Sequence, residues 1–348
     1  MSLAKHILFL TPGFPSDEDD FNCIPPLQEF LIEFISDYPA VKISIIAFQY
    51  PYRNKKYRWN GIEVYPMNGR NSAFKKLVVW LKAIDTAGKI NKLIPIDIIH
   101  SLWLGECALI GNRLAKKYRY RHICTLMGQD VKDSNRYLNQ SKNNNIKIVA
   151  LSQNQFDLFF NLTKKRPDEI IHWGIEDQSF EKSSRDIDLL AVGSLISLKN
   201  YKLYLKAIAK IKVSYRNIKC KLVGSGSESE SLKKLADQLD IKDNIEFTGL
   251  LSRKEIFKLM QRSKIFVHSS RFEGSGYVFA EALVNGMNVL SFDVGYAQKH
   301  PKWFIAKDED DFVNTLGKLL SSQLDFQPTN LFKLSDTVEH YAKIYGIS

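Results

Sequence analysis

His268 to Asp293, HSSRFEGSGYVFAEALVNGMNVLSFD, reads as a strand, a glycine-bearing loop, a helix and a second strand. Glu273 stands just before the turn Gly274-Ser275-Gly276, and Glu281 lies eight residues further on, inside the helix that the turn opens. Gly286 predicts the helix stop, at the C′ position where left-handed backbone is usually needed. The first free N–H groups of such a helix, near Gly276 to Val278, point out of the carboxyl end of the preceding strand. Helix starts of this kind bind anions, phosphate above all. A carboxylate on the loop and another about two turns along can accept hydrogen bonds from hydroxyls of the same ligand. Diphosphate, ribose and sugar in one molecule make a nucleotide-sugar. The competing reading is a helix with two solvated glutamates. Both glycines and the strands on either side weigh against it.

Outward from this segment the chain alternates strand and helix in two series. The first has apolar strand candidates at 7–10, 41–48, 62–65, 96–100, 122–126, 146–151 and 170–172, with helical patterns at 26–36, 73–91 and 106–117. The second restarts at 187–192 and continues with strands at 218–223, 245–247, 265–268 and 289–292. Helices fall at 201–213, 228–239, 253–261 and 276–285. Continuous apolar strands between amphipathic helices mean parallel sheets covered on both faces. The expectation is two Rossmann-like α/β domains facing across a cleft, with ligands beyond the carboxyl ends of the strands. The charged stretch Glu176–Asp186 reads as the linker. The division expected is residues 1–178, residues 179–330, and residues 331–348 holding a last helix near Ser335–Tyr345.

Ser270, Glu273, Gly274, Gly276, Glu281, Ala282 and Gly286 together resemble the Glu-x7-Glu signature of retaining glycosyltransferases of the GT-B fold, glycosyltransferase family 4. The resemblance extends over essentially the whole chain in order. Gly193-Ser194 with Lys199-Asn200 is similar to the family's Gly-Arg and Lys-Asn pairs, with Ser194 where Arg is usual. Gly224-Ser225-Gly226 is similar to its second glycine loop, and Thr248-Gly249 to a strand end lining the base pocket. In the first domain, the loop with Gly13 is similar to one that approaches the donor phosphates, and Gly128-Gln129-Asp130 to a His-Gly-x-Asp turn, here with Met127 in place of His.

The resemblance implies a first domain that binds the acceptor, a second that binds a nucleotide diphosphate-sugar, and a final helix crossing back to the first. It implies transfer to an acceptor hydroxyl with retention, without metal or other cofactor. Glu281 then holds the ribose hydroxyls and Glu273 the donor sugar. Lys199, the turn amides of Gly274, Ser275, Gly276 and Tyr277, and Arg271 neutralise the diphosphate. The leaving phosphate accepts the acceptor's proton in a same-face attack. Asp130 is a candidate for acceptor or sugar contact; His100 and His172, at strand ends, read more readily as structural. Three Asp-x-Asp spacings, at 17–19, 186–188 and 308–310, close no apolar strand and read as chance. A GT-B nucleotide-sugar 2-epimerase, a glycosidase with paired carboxylates and a catalytically silent GT-B sugar-nucleotide binding protein are the alternatives.

Composition fits a soluble enzyme: 348 residues, 45% hydrophobic and 25% charged, in the globular range and long enough for two domains. No apolar run reaches membrane-spanning length or makes a signal-peptide core. Cys23, Cys107, Cys124 and Cys220 are scattered and read as buried free thiols in a reducing compartment, so the cytoplasm is expected. The formal charge of +11 asks for an anionic partner. Basic residues gather at Arg53–Arg58, Lys75-Lys76 and Lys116–Arg121, two of them interleaved with aromatics, as at an anionic membrane surface; ordinary solvated faces on a basic protein are the equal alternative. Nothing resembles a nucleic-acid-binding motif. The acceptor expected is a carbohydrate or a lipid-linked precursor in surface polysaccharide or glycolipid synthesis.

Overall fold

The computed structural model describes residues 5–142, 145–179 and 184–347. The chain divides into two compact units, Met1–Gly174 with Leu334–Ser348, and Ile175–Lys333. In the first, β1 (His6–Gly13), α1 (Pro25–Asp37), β2 (Lys42–Tyr50), β3 (Tyr57–Trp59), β4 (Ile62–Pro66), α2 (Lys76–Leu93), β5 (Ile98–Leu102), α3 (Glu106–Tyr118), β6 (Arg121–Thr125), β7 (Ile146–Ala150), α4 (Gln153–Thr163) and β8 (Glu169–Ile170) follow in turn. The sheet order is β3-β4-β2-β1-β5-β6-β7-β8. Every pairing is parallel except β3 with β4. The strands are buried runs such as ILFL in β1, as double-sided helix cover requires.

The second unit holds β9 (Ile187–Val192), α5 (Tyr201–Lys212), β10 (Cys220–Val223), α6 (Ser229–Gln238), β11 (Ile245–Gly249), α7 (Arg253–Gln261), β12 (Ser263–His268), α8 (Tyr277–Val284), β13 (Asn288–Phe292), β14 (Trp303–Ala306) and α9 (Glu309–Ser321). Its sheet runs β11-β10-β9-β12-β13-β14, parallel throughout. Counting strands within the unit, this is the 3-2-1-4-5-6 order of a dinucleotide-binding sheet, whose switch point lies between β9 and β12.

Helix α10 (Leu334–Tyr345) completes the first unit. Its Tyr341 packs on Phe30 of α1, with ring centroids 5.1 Å apart, and stacks on Trp173 at 5.6 Å. A buried chain of hydrogen bonds runs beside these rings. Tyr345 Oη meets His100 Nδ1 (2.6 Å), His100 Nε2 meets Thr125 Oγ1 (2.8 Å), and Thr125 Oγ1 meets Tyr341 Oη (2.7 Å). Burial drives the His100 pKa down to about 3, so the ring is neutral and donates at one nitrogen while accepting at the other. His100 is thus a core residue. His172, beyond the end of β8, bonds the Leu151 carbonyl at 2.6 Å.

Several expectations are corrected. The basic stretch Arg53–Trp59 contains the edge strand β3, and its aromatics face inward. Trp59 is buried against Phe14, edge to face at 5.0 Å, and Lys56 pairs with Glu63 of β4 at 3.0 Å. A charged edge strand resists pairing with other chains, and the alternating pattern was hidden under its lysines and arginines. In the stretch Lys116–Arg121, Arg121 donates to the carbonyls of Ile344 (2.6 Å) and Tyr345 (3.0 Å). That cation therefore holds down α10. Helices α4 and α9 and strand β14 were not anticipated. β14 is only a short apolar run, WFIA, between Lys302 and Lys307.

The division between units falls at Gly174, earlier than the charged stretch suggests. Ile175 bridges to Lys333, and Asn330 donates to the Ile175 carbonyl at 2.8 Å, so these residues travel with the second unit. Of the expected linker, residues 180–183 lie outside the described residues. Arg185, inside the same stretch, donates to the carbonyls of Met260 and Asn285, both at 2.8 Å. All four cysteines are free; three are buried and Cys23 is half-buried.

Replacing Tyr341 by Ala should cost about 3–5 kcal/mol, the usual penalty for emptying a large aromatic site. Tyr341→Phe, which loses only the Thr125 bond, should cost about 1 kcal/mol. Urea denaturation of the two variants beside the wild type measures both.

Candidate functional site

The carboxyl ends of β9 and β12 meet at the switch point of the six-stranded sheet, and the sequence-predicted residues gather there. After β9 the chain turns through Gly193 and Ser194 into a 3-10 turn, Ser197–Lys199, and Asn200 then takes left-handed backbone before α5. The loop after β12 fastens that turn. Ser269 Oγ donates to the Lys199 carbonyl (2.8 Å) and Ser270 Oγ to the Leu198 carbonyl (3.1 Å). With its backbone fixed, Lys199 reaches Glu273 and forms an ion pair at Oε1. The same oxygen accepts a hydrogen bond from His268 Nε2 at 2.8 Å.

Both side chains of the ion pair are largely shielded, Lys199 19% exposed and Glu273 12%. Burial alone would push the Glu273 carboxyl up. The His268 hydrogen bond and the Lys199 charge more than offset it and hold the pKa at about 2. Burial lowers the His268 pKa, so its ring is neutral and carries its proton on Nε2 to donate. Phe279 of α8 packs edge-on against the imidazole at 4.8 Å. Among the described residues Glu273 Oε2 has no hydrogen-bond partner. Tyr201 is also buried, with no partner for its hydroxyl among the described residues, and a Cβ on Gly193 would lie 2.7 Å from that oxygen.

Gly276 is the left-handed cap residue of α8, at φ 69°, and a Cβ there would strike the Phe279 ring at 2.4 Å. Gly274 and Ser275 complete the turn, whose Ser275 carbonyl accepts from the Tyr296 amide at 2.8 Å. Tyr277 opens the helix. Glu281, one face along, accepts from Arg253 Nε of α7 at 2.9 Å. Burial raises the Glu281 pKa, against the pull of the Arg253 charge. A capping box of Ser252 and Glu255 starts α7 and so places Arg253. The guanidinium also lies 5.7 Å from the Tyr277 ring centroid.

The glycines of the neighbouring strand ends have a steric role. A Cβ on Gly224 would lie 1.9 Å from the Gly193 carbonyl oxygen, and one on Gly226 2.4 Å from that of Leu195. The Gly224 amide donates to the Gly249 carbonyl (2.9 Å), and Thr248 Oγ1 donates to the same oxygen (3.1 Å).

Two expected site residues are exposed. Arg271 is exposed and pairs with Glu309 at 2.6 Å, beside a cavity of about 560 Å³ also lined by Phe292, Asp293 and Lys307. Ser194 is exposed. In the first unit, Gly13 ends β1, where Thr11 Oγ1 donates to its carbonyl at 2.8 Å. Asp130 is buried and accepts from the backbone amides of Leu104 (2.8 Å), Met127 (3.1 Å) and Gly128 (2.7 Å). Its carboxylate therefore organises the loops at the ends of β5 and β6. Among the described residues no three His, Cys, Asp or Glu side chains gather to hold a metal. Sequence reasoning overlooked His268, Arg253 and Tyr201. His268 ends a strand as His100 and His172 were expected to, and its place five residues before Glu273 was the available signal.

Residues 175–327 match the family described as glycosyl transferases group 1. Over 98% of its length the chain superposes on the Anabaena protein Alr3699/HepE in complex with UDP-glucose, covering 99% of that chain, with TM-score 0.73 and 16% identity. The fold is GT-B. Among curated relatives, the phosphatidylinositol N-acetylglucosaminyltransferase gpi3 subunit of Schizosaccharomyces pombe is 24% identical over 47% of this chain and 39% of its own. The alpha-monoglucosyldiacylglycerol synthase of Streptococcus pneumoniae is 23% identical over 63% of this chain and 57% of its own. The chain thus spans less than two thirds of the length of either relative. The matched region contains every residue of the Lys199–Glu273 cluster.

Acid should expose the cluster's energetics. The unfolded Glu273 carboxyl titrates near 4.5 and the folded one near 2, so the unfolded chain binds the proton more readily between those values. The stability that Glu273 contributes is complete above the upper value and lost as pH falls towards the lower. Urea denaturation across this range should show a smaller acid loss for Glu273→Gln than for the wild type. Equal losses would mean that the carboxylate is not held by its partners.

Proposed function

We propose that this protein is a retaining glycosyltransferase that moves a sugar from a nucleotide diphosphate-sugar to an acceptor hydroxyl without a metal. The carrying observation is Glu273: one carboxylate oxygen held by Lys199 and His268, the other unpartnered, beside the helix start at Gly276. In this reading Oε2 accepts from a hydroxyl of the donor sugar. Lys199 and the first amides of α8 face the diphosphate, whose negative charge grows as it departs and whose stabilisation there lowers the barrier. Glu281, oriented by Arg253, accepts from the ribose hydroxyls. The anomeric carbon–phosphate oxygen bond breaks while the bond to the acceptor oxygen forms on the same face. The acceptor's proton passes to the departing phosphate oxygen.

The acceptor in this reading is a carbohydrate or a lipid-linked precursor in polysaccharide or glycolipid synthesis. Both relatives named above carry a lipid in their names, which supports it. Four free thiols suit a reducing compartment, and no helix among the described residues is long and apolar enough to cross a membrane. We place the protein in the cytoplasm, working at the inner face of the membrane.

Calorimetric titration with UDP, GDP and ADP, and with their sugars, should reveal one preferred nucleotide, with equal affinity in EDTA. Lys199→Ala should lose about 1.5–3 kcal/mol of diphosphate affinity, the range for a charged hydrogen bond, and Glu281→Gln should weaken the nucleoside end. No binding by any nucleotide diphosphate would remove the reading. Binding with no transfer to any acceptor would leave a sugar-nucleotide binding protein, and an inverted product anomer in the NMR spectrum would exclude retention.

A further inference from the structure

Helix α2 presents apolar side chains on both of its long faces. Its inner side is ordinary: Val79, Ala83, Ala87 and Ile90 are buried. The opposite side of such a helix should be charged or polar. Here Phe74, in the turn Ala73–Lys75 that leads into the helix, is followed by Leu77, Val78 and Leu81 at the i, i+3, i+4, i+7 spacing of one face. They are 99%, 62%, 51% and 60% exposed. An isolated exposed leucine needs no explanation, but four contiguous apolar side chains on a helix do.

The charges around this face select its partner. Lys75, Lys82 and Lys89 recur at every seventh position and so line one flank of the helix. From Arg70 to Lys92 there are six basic residues and a single acidic one, Asp85, which pairs with Lys89 at 2.7 Å. On the other flank Trp80 donates its indole N–H to Glu106 at 2.9 Å, and the Lys76 ammonium sits 5.4 Å from its ring centroid. An apolar ridge edged by lysines complements an apolar layer covered by anionic head groups. A second copy of the chain carries the same excess of positive charge, which opposes its approach.

We propose that this face of α2 docks on an anionic lipid bilayer, with Phe74, Leu77, Val78 and Leu81 entering the acyl boundary and Lys75, Lys82 and Lys89 lying among the head groups. The inference stands apart from the donor chemistry of the second unit. It replaces the Lys116–Arg121 stretch, where Arg121 is committed to α10, by a surface built for insertion as well as attraction.

Sedimentation of the full chain with vesicles tests it. The wild type should pellet with phosphatidylglycerol–phosphatidylcholine vesicles and about tenfold less with phosphatidylcholine alone. Salt should weaken the binding without abolishing it, because screening removes attraction between charges and leaves apolar burial intact. The triple variant Phe74→Ser, Leu77→Ser, Leu81→Ser should lose about tenfold or more of its affinity, with unchanged thermal melting and nucleotide binding. Lys75→Glu, Lys82→Glu, Lys89→Glu should lose the preference for anionic vesicles, and brominated lipid should quench the wild-type tryptophan fluorescence. These last two measurements carry the test should the serine variant fail to fold. Wild type left in the supernatant, or a folded serine variant that pellets as well as the wild type, would overturn the proposal. Concentration-dependent dimerisation abolished by the serine substitutions, without vesicle binding, would assign the face to a second copy.

Discussion

The architecture of the second unit rests on how closely the ends of neighbouring strands can approach one another. Gly224 lies so near the Gly193 carbonyl that any side chain there would overlap it. Alanine at that position forces the two strand ends apart, and the displacement propagates. The turn after Gly193 carries Lys199, and Ser269 and Ser270 hold the same turn from β12. Three strands are thereby locked at one edge, and a lysine with four rotatable side-chain bonds gains a single anchoring point. Precision in the charged cluster therefore originates in the absence of side chains nearby.

Within that frame the cluster is held by mutual need. A glutamate as shielded as Glu273 is unfavourable alone, and so is an ammonium as shielded as Lys199. Each makes the other tolerable, while His268 contributes a neutral donor that adds no further charge. Removing either partner of the ion pair leaves an uncompensated charge, and removing His268 takes a donor from the same oxygen, so the three act as a unit. Glu281 is the counterpoint: its single strong partner is Arg253, and burial wins there, raising the carboxyl where Glu273 is lowered. Two carboxylates eight residues apart in one motif thus have opposite electrostatic settings.

Much of this was legible in the sequence. The parallel sheets follow from uninterrupted apolar strands such as ILFL at 7–10 and IFVH at 265–268, whose burial on both faces leaves no alternation to misread. The glycines stood out because turn chemistry restricts those positions to few residue types, and Glu273 and Glu281 because of their Glu-x7-Glu spacing around that turn. Partners lay beyond reach. Nothing in the spacing says that Arg253, on another helix, will meet Glu281, or that Arg121 will spend its charge on carbonyls more than two hundred residues away. Long-range pairing is a property of the assembled sheet. Strand β3 was concealed for a different reason: its role as a guarded edge demands the charged residues that make it look like a loop.

The division of the chain has a consequence for biosynthesis. The first unit departs at Gly174 and resumes at Leu334, while the second occupies one uninterrupted stretch. Tyr341 and Tyr345 fill the centre of the first unit's aromatic cluster and satisfy His100 and Thr125. Until those residues leave the ribosome, the amino-terminal sheet has a hole where α10 belongs, and His100 and Thr125 each lack one hydrogen-bond partner. The second unit needs nothing later than Lys333 to close its own sheet. The usual vectorial order, amino-terminal domain first, is therefore inverted: the segment made second is the first that can be finished, and the segment made first waits for α10.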